Sequence, residues 1–417
     1  MKSQPAVTLP LPPAWPWYSE ETADRVRRRV LAGDVFAFGR DPAVHRLEQW
    51  AREYFGVSHA LAVSSGTAAL WTAFHSLGLG PGDEVLVPTY TFHATATPLF
   101  LLGASPVLYD CDPLTARADV RDLESRITAS TKAIGVTHMF GLPADMEAVS
   151  RIARARGIPV VEDAAQAHGA TVGGRKTGTL GTVGCLSLGG QKMISGGMGG
   201  LLITDDSDVY QRALTMGHAH ERALEELPPD SRWRAPAETG FGGNLRMHPL
   251  SAELALEHCA SLDERIRVRT SVLEGLSDRL SRFPFLVPPQ TPAGCTRGGW
   301  YGYKVVYRPE LLSGMPVPEF VDLLKRQALR VARPSTRPLH QTWPFQNRDL
   351  GLPGYDPHGS RPVYIDADLP QATELYSHTI GFPDKHLHVP ADDLLDQYAE
   401  GIARVADYAL YRRERKD

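Results

Sequence analysis

One lysine stands in a glycine-rich stretch between two apolar runs, in the segment CLSLGGQKMISGGMGGLLITDD (residues 185–206). The chain has only eight lysines among its 44 basic residues, so arginine is its ordinary source of positive charge. A lysine, unlike an arginine, can lose its proton and form a Schiff base with a carbonyl group. Glycine lets the backbone approach a planar ligand, whereas a solvated lysine on a flexible loop is the alternative. Lys192 is therefore a candidate nucleophile, with Ser187 five residues before it.

Two further polar features follow apolar runs. The run IPVV leads straight into Glu162 and Asp163, which would place a carboxylate at the carboxyl edge of a sheet, although a helix N-cap fits Asp163 as well. Gly66 and Thr67, in SSGTAAL, would open a helix whose free N–H groups can bind a phosphate, although an ordinary turn fits them too. A phosphate cradle, a carboxylate and a lysine, in this order, are the parts that hold pyridoxal phosphate (PLP). The carboxylate keeps the pyridine nitrogen protonated, so that the ring acts as an electron sink.

Short apolar runs alternate with longer amphipathic ones from about residue 58 onward. The apolar runs show little polar alternation, which predicts a buried, mostly parallel sheet flanked by helices. Residues 244–276 show one long helical pattern, and the aromatic segment WYGYKVVYRP beyond it predicts a strand. We therefore predict an α/β protein with a large domain over residues 1–255, N-terminal segment included. A smaller C-terminal α+β domain would occupy residues 256–417.

Composition and charge exclude several classes of protein. With 42% hydrophobic and 22% charged residues, the 417-residue chain has the balance of a globular protein of two domains. A net charge of −4 argues against nucleic acid as a partner. The four cysteines form no CxxC pair, and neither a secretory signal nor a membrane-spanning run is visible. We expect a cytoplasmic protein with no membrane partner.

Two HxH pairs, His218 with His220 and His386 with His388, raise the question of a metal site. A metal centre needs further ligands at regular spacing, and none follows either pair. We therefore predict no metal, and interpret these histidines as structural or solvated.

The chain resembles the DegT/DnrJ/EryC1/StrS family of PLP-dependent sugar and cyclitol aminotransferases, which has the fold-type-I architecture. The resemblance runs in family order through LAGDVFAFGRDPAVHRLEQWAREYFGVSHALAVSSGTAAL, VPTYTFHATATPLFLLGASPVLYDCDP, HMFGLPADM, VVEDAAQAHGA, SLGGQKMISGGMGGLLITDD and GGNLRMHPLSAELAL. RPLHQTWPF and LPQATELYSHTIGFP extend it more weakly into the C-terminal third. It implies PLP as cofactor, with pyridoxamine phosphate as the form that carries the amino group.

The resemblance also implies roles for the residues nearest the cofactor ring. Lys192 would be the Schiff-base lysine and would shuttle a proton once released. Asp163 would pair with the pyridine nitrogen, and Gln166 would contact the ring hydroxyl. Phe92 would stack on the ring face, although without the family context it reads as a core aromatic.

Other residues would bind the cofactor phosphate or the substrate. Gly66 and Thr67 would hold the phosphate through N–H and hydroxyl groups, and Ser187 would add its hydroxyl. Asn244 would reach the phosphate in the neighbouring subunit, which implies a homodimer with shared active sites. Arg246 would lie near the site, with a structural salt bridge as the alternative.

His340 fits the family's acceptor-side loop and is a candidate substrate contact. Two positions depart from the family pattern. Met198 replaces the glutamate of a Gly-Glu-Gly-Gly motif, and Leu188 stands where phenylalanine is common. Neither departure removes an atom that the lysine chemistry requires, but both leave the donor and the acceptor open.

The resemblance implies transfer of an amino group from an amino acid, L-glutamate or L-glutamine, to a keto-sugar or keto-cyclitol in natural-product biosynthesis. The segment PPAWPWY, residues 12–18, is reminiscent of the cyclitol and aminohydroxybenzoate branch. One alternative is a PLP-dependent dehydratase, aromatase or other lyase of the same family. Lys192 argues only against the dehydratases in which histidine replaces the lysine. A non-catalytic protein that binds PLP or a nucleotide-sugar is the other alternative.

Overall fold

The computed structural model describes residues 5–36, 39–218, 220–347, 349–351 and 363–414. In these ranges the helices are α1 (Glu20–Ala32), α2 (Pro42–Phe55), α3 (Gly66–Ser76), α4 (Thr97–Leu101), α5 (Val120–Ser125), α6 (Met146–Arg156), α7 (Ser207–Gly217), α8 (Glu221–Glu226), α9 (Arg234–Ala237), α10 (Pro249–Ala260), α11 (Leu262–Leu280), α12 (Val317–Arg326), α13 (Trp343–Gln346), α14 (Pro370–His378) and α15 (Asp392–Glu414).

The strands in the same ranges are β1 (His59–Val63), β2 (Glu84–Pro88), β3 (Ser105–Tyr109), β4 (Thr131–Thr137), β5 (Val160–Asp163), β6 (Thr171–Val172), β7 (Arg175–Lys176), β8 (Val183–Ser187), β9 (Gly200–Thr204), β10 (Leu286–Val287), β11 (Cys295–Thr296), β12 (Tyr303–Tyr307) and β13 (Thr379–Phe382).

A seven-stranded sheet with the order β1-β9-β8-β5-β4-β2-β3 forms the centre of the molecule. Strands β3, β2, β4, β5 and β8 pair in parallel, while β9 is antiparallel to both of its neighbours, β8 and β1. The apolar strands are buried because helices cover the sheet, as the missing polar alternation predicted. The α/β class with a mostly parallel central sheet is therefore confirmed.

The parallel strands end at one edge of this sheet, and that edge positions the polar residues of interest. Ser65 follows β1 and caps α3, since its side chain accepts a hydrogen bond from the Ala68 N–H. Asp163 is the last residue of β5, and Ser187 is the last residue of β8. Ligands of open α/β sheets bind at this carboxyl edge.

A second, smaller core lies around the antiparallel sheet β10-β12-β13. Helices α11, α12 and α15 contribute apolar residues to this core, among them Leu273, Phe320 and Ile402. Tyr364 and Leu369 pack instead with the large sheet, although they lie late in the chain. The division into residues 1–255 and 256–417 stays a prediction, and α10 spans the proposed boundary.

The single helical pattern over residues 244–276 is wrong, because two helices, α10 and α11, cover most of it. They are separated at Ser261, whose φ of −116° and ψ of 15° lie outside the helical region. The Arg265 side chain bonds the main-chain oxygen of His258 near this break. The Arg265 guanidinium replaces a helical hydrogen bond at the break, and the apolar periodicity continues through it. The sequence pattern alone therefore did not show the break.

In the part of the chain that the structure describes, no helix combines the length and apolar character needed to cross a bilayer. All four cysteines carry free thiols.

Candidate active site

Lys192 lies in the connection between β8 and β9, residues 188–199, here called the lysine loop. A Cβ at Gly196 would come within 2.5 Å of the main-chain oxygen of Ser251, so this glycine is required for close packing. The Lys192 ammonium lies over the ring of Tyr301, with Nζ 3.6 Å from the ring centroid. Burial lowers the pKa of Lys192 from 10.5 to about 8, and the charge of Asp163 acts in the opposite direction. The predicted nucleophile is therefore partly neutral near neutral pH.

Asp163 faces the same site from the end of β5. Its Oδ2 accepts a hydrogen bond of 2.7 Å from the Thr95 hydroxyl, and its Oδ1 accepts one of 3.1 Å from the Ala165 N–H. Thr95 is linked to Thr91 (2.7 Å), whose hydroxyl also contacts Thr137 (2.9 Å). This buried hydroxyl network fixes the carboxylate on the site side of the sheet.

Glu162, one residue earlier on β5, is fully buried and serves the protein interior. Its carboxylate accepts hydrogen bonds from the N–H groups of Gly178, Leu180 and Gly181 and pairs with His138 at 2.8 Å. Successive strand residues point to opposite faces, so only one of the two acids can face the site. The two neighbouring carboxylates therefore lie in different surroundings, and the pairing of Asp163 with a pyridine nitrogen stays a prediction.

Gly66 and Thr67 form the first turn of α3, where the N–H groups have no acceptor within the helix. A Cβ at Gly66 would lie 2.7 Å from the Cβ of Ser187, so the helix start packs directly on the end of β8. Two free N–H groups and the Ser187 hydroxyl are thereby collected in one place. Such a helix N-terminus is suited to an anion.

Gln166 and Phe92 border this region. Gln166 is buried, and its Oε1 accepts the Phe140 N–H at 3.0 Å, which leaves the amide nitrogen as its donor group. Phe92 is 49% exposed and rests against His93, with ring centroids 4.1 Å apart. The interpretation of Phe92 as a core aromatic is therefore wrong, while stacking on a cofactor stays a prediction.

Asn244 and Arg246 lie beside the end of β1, where Arg246 pairs with Val63 in an isolated β-bridge. They line a cavity of about 200 Å³ that includes His218 and Arg222 but neither Lys192 nor Asp163. Arg246 Nε donates to Asn244 Oδ1 at 3.1 Å. Within the described residues Arg246 has no carboxylate partner, so the structural salt bridge considered for it is not seen there.

His340 is buried and uses both ring nitrogens within the protein. Nδ1 contacts the Thr89 hydroxyl at 2.7 Å, and Nε2 contacts Asp366 at 3.1 Å and the Thr373 hydroxyl at 3.0 Å. Burial lowers the pKa of His340 despite the nearby carboxylate of Asp366. A contact with the acceptor, as the sequence suggested, would require one of these bonds to break.

Sequence reasoning missed several residues that shape the site. Thr95 and Tyr301 contact the predicted Asp163 and Lys192, but neither belongs to a motif quoted for its chemistry. His168 is fully buried, its Nε2 has no partner among the described residues, and burial lowers its pKa to about 3. The segment PPAWPWY was noted, but nothing in its composition showed that it touches the lysine loop.

Comparison with known proteins decides the family. The model of the DegT/DnrJ/EryC1/StrS aminotransferase family matches residues 18–377. An L-glutamine:scyllo-inosose aminotransferase from Streptomyces griseus is 33% identical over 374 residues, or 88% of this chain and 87% of that protein. This chain belongs to the DegT/DnrJ/EryC1/StrS aminotransferase family. The predicted family and enzyme class are thus confirmed.

Further proteins align over nearly the whole chain. A 3-amino-5-hydroxybenzoate synthase from Amycolatopsis mediterranei is 30% identical and covers 93% of this chain and 97% of its own. The crystal structure of a 3-amino-5-hydroxybenzoic acid synthase has a TM-score of 0.81 at 27% identity, covering 96% of this chain and 100% of that one. An aminotransferase from Psychrobacter cryohalolentis has a TM-score of 0.83 at 25% identity, with the same coverage.

Aminotransferases of this family use PLP, as predicted. The residues present fit that cofactor on a structural ground independent of the family. The close approach of Gly66 to Ser187 collects phosphate donors beside a partly neutral lysine and an oriented carboxylate. A phosphate, a basic ring nitrogen and a reactive carbonyl are the groups that these three features can bind.

Proposed function

We propose that this aminotransferase moves the amino group of L-glutamine to the carbonyl carbon of a keto-cyclitol. The relatives from Streptomyces griseus and Streptomyces fradiae, named for L-glutamine with scyllo-inosose and with 2-deoxy-scyllo-inosose, support this donor and this acceptor class. Both are 33% identical over close to nine tenths of this chain. The structural observation that carries the proposal is the partly buried Lys192, with Nζ 3.6 Å from the centroid of the Tyr301 ring, in the same site as an Asp163 carboxylate held by Thr95.

The geometry around Lys192 supports each proposed role. When bound, PLP supplies the electron sink that lets the donor's α-carbon lose a proton. Lys192 Nζ, partly neutral at working pH, takes that proton and later returns one to the carbon that receives nitrogen. Asp163, oriented by Thr95 and the Ala165 N–H, holds a proton on the ring nitrogen. The start of α3 and Ser187 would bind the phosphate of the cofactor.

The remaining predicted residues belong to the same proposal. Gln166 would donate its free amide group to the ring hydroxyl, and the half-exposed Phe92 would cover the ring face. Asn244 and Arg246, which line a cavity that does not include Lys192, would complete the site of a second copy in a homodimer. A cytoplasmic location is part of the proposal as well.

Isotope transfer tests donor and acceptor together. The purified protein, loaded with PLP, is incubated with scyllo-inosose or 2-deoxy-scyllo-inosose and L-glutamine labelled with ¹⁵N in either the α-amino or the amide group. The proposal predicts ¹⁵N in the aminocyclitol from the α-amino label alone, and no product with Lys192→Ala. If neither ketone gives an aminocyclitol that contains ¹⁵N, the keto-cyclitol assignment is rejected.

A second candidate is the dehydrating, aromatising chemistry predicted as the lyase alternative. The alignment with the 3-amino-5-hydroxybenzoate synthase over 93% of this chain favours it, as does the structural match at a TM-score of 0.81. Loss of water with formation of an aromatic ring gives a product that absorbs in the ultraviolet and contains no transferred ¹⁵N. An aminodeoxycyclitol has no such absorbance, so the two outcomes are distinct.

A further inference from the structure

The segment PPAWPWY, residues 12–18 and here called the N-terminal strap, lies against the lysine loop. The indole N–H of Trp15 donates a 2.7 Å hydrogen bond to the main-chain oxygen of Lys192 itself. The Tyr18 hydroxyl lies 3.1 Å from the main-chain oxygen of Ser195 and 3.0 Å from its side-chain hydroxyl. The strap therefore contacts the lysine loop at Lys192 and three residues beyond it.

The lysine loop depends on such side chains because it forms little regular structure of its own. Within it, Lys192 N–H bonds the Gly189 oxygen and Gly196 N–H bonds the Leu188 oxygen. The main-chain oxygens of Lys192, Met193 and Ser195 accept hydrogen bonds from side chains of the strap and of α11. Buried main-chain oxygens need hydrogen-bond donors. Removing these side-chain donors would leave main-chain oxygens of the lysine loop without a hydrogen bond.

Trp15 is held rigidly enough to act as a fixed support. It is 5% exposed, and the Arg265 guanidinium lies 4.6 Å from its ring centroid. The centroid of the His258 ring lies 4.4 Å from that of the Trp15 ring, and His258 Nδ1 accepts the Ser195 N–H at 3.0 Å. His258 Nε2 is then the donor to the Trp17 main-chain oxygen at 3.1 Å. Burial lowers the pKa of His258 to about 4, which keeps this neutral arrangement at working pH.

The other side of the strap is fastened to the C-terminal part of the chain. Trp15 N–H donates to the main-chain oxygen of Lys385 at 3.0 Å. His386 and His388 lie 2.6 Å and 2.9 Å from the main-chain oxygens of Pro12 and Pro13. The histidines of this HxH pair thus anchor the strap. The strap is therefore held by the C-terminal part of the chain on one side and contacts Lys192 on the other.

We infer that Trp15 and Tyr18 are positioning residues for Lys192: through their hydrogen bonds to the lysine loop they set the place from which Nζ reacts. The inference rests on the proposed function in one respect, because it takes Lys192 as the lysine that moves the proton. Neither residue touches the reacting atoms. Their effect is on the geometry of the loop, where a displacement of about 1 Å can cost roughly a hundredfold in rate.

Two substitutions remove the hydrogen bonds and keep most of the packing. Trp15→Phe deletes the indole donor to Lys192, and Tyr18→Phe deletes the hydroxyl at Ser195. Trp233→Phe is the matched control, because Trp233 also donates one indole hydrogen bond, to Asp208 at 2.9 Å, but does so on α7 away from the lysine loop. All variants are made in the full-length protein and measured with and without added PLP.

Hydrogen exchange followed by mass spectrometry is the first readout, since it needs neither cofactor nor turnover. Loss of one net hydrogen bond predicts exchange about fivefold faster in peptides covering residues 188–199 for Trp15→Phe and Tyr18→Phe. Trp233→Phe should leave these peptides unchanged. Steady-state kinetics with L-glutamine is the second readout, for which we expect kcat to fall roughly tenfold or more with KM unchanged.

Exchange in these peptides and kcat that both match the Trp233→Phe control would overturn the inference. A rise in KM with kcat unchanged would also overturn the inference, because the positioning of Lys192 acts on the chemical step. If Trp15→Phe does not fold, Tyr18→Phe tests the same inference, because it removes only a hydroxyl group. If the wild-type protein fails to convert L-glutamine, the proposed function fails, while the exchange measurement still decides whether the strap holds the loop.

Discussion

Lys192 should react with an acylating reagent at a pH far below that of an ordinary lysine. Burial lowers its pKa from 10.5 to about 8. At pH 7.5 about a quarter of Lys192 would then be neutral, against about one molecule in a thousand for a lysine of pKa 10.5. Only the neutral amine attacks the reagent, so the reactive fraction should be roughly 200 times larger.

A substitution at Asp163 should change the pKa of Lys192 in a known direction. Its negative charge raises the pKa of Lys192 and so opposes the effect of burial. Asp163→Asn removes that charge and should move the midpoint of Lys192 labelling below pH 8. Asp208→Asn, which changes a carboxylate on α7 that pairs with Arg232, should leave the midpoint where it is.

Pulsed acylation of the cofactor-free protein between pH 6 and 11, with peptide mass spectrometry, gives the midpoint directly. The exposed Lys132 in the same digest serves as the internal reference. A Lys192 midpoint near 10 or above would refute the claim that burial prepares this amine. An upward shift in Asp163→Asn would refute the electrostatic link between the two residues.

Three substitutions test the packing and the charges of the site separately. Gly66→Ala places a Cβ 2.7 Å from the Cβ of Ser187, so it should cost about 1–3 kcal/mol in the free energy of unfolding and weaken PLP binding. Thr95→Val removes the hydroxyl donor to Asp163 and should cost about 1.5–3 kcal/mol, measured by urea denaturation. Lys192→Met removes an amine that is disfavoured when charged, so it should stabilise the cofactor-free protein at pH 7 by about 1–2 kcal/mol. The folded pKa of Lys192 lies below its unfolded value, so this gain should vanish as the pH rises from 8 towards 10.5.

Matched controls separate these causes from general disturbance. A Cβ at Gly80 meets nothing within 4 Å, so Gly80→Ala should not lose stability. The Thr72 hydroxyl is buried and has no partner among the described residues, so Thr72→Val should be neutral or stabilising. Equal losses in a variant and its control, or a Lys192→Met protein less stable than wild type at pH 7, would contradict the account.

Part of the candidate site could be predicted from the sequence because several of its residues follow a strand. Asp163 ends β5 and Ser187 ends β8, and parallel strands deliver their last residues to one edge. Gly66 was visible because a helix start after a strand needs small residues. Order along the chain therefore led to Lys192, Asp163 and Gly66 as candidate residues, and their roles toward the cofactor stay predictions.

Contacts between distant parts of the chain were not visible. The bond from Trp15 to Lys192 spans 177 residues, and no periodicity records it. The antiparallel placement of β9 depends on pairing with β1 and β8, whereas its apolar run resembles those of the parallel strands. The contacts of His340 with Thr89 and Asp366 likewise depend on the tertiary fold. A histidine in a loop motif does not predict them.

A single-turnover reaction with L-glutamine tests the central claim most directly, because it needs no knowledge of the acceptor. The PLP-loaded protein is mixed with L-glutamine, and the released 2-oxo acid is counted by mass spectrometry while the visible absorbance is followed. The account predicts about one 2-oxo acid per active site, loss of the visible absorbance, and neither change in Lys192→Ala. A wild-type protein that binds PLP but releases no 2-oxo acid from L-glutamine, or a Lys192→Ala protein that still releases it, would contradict the account.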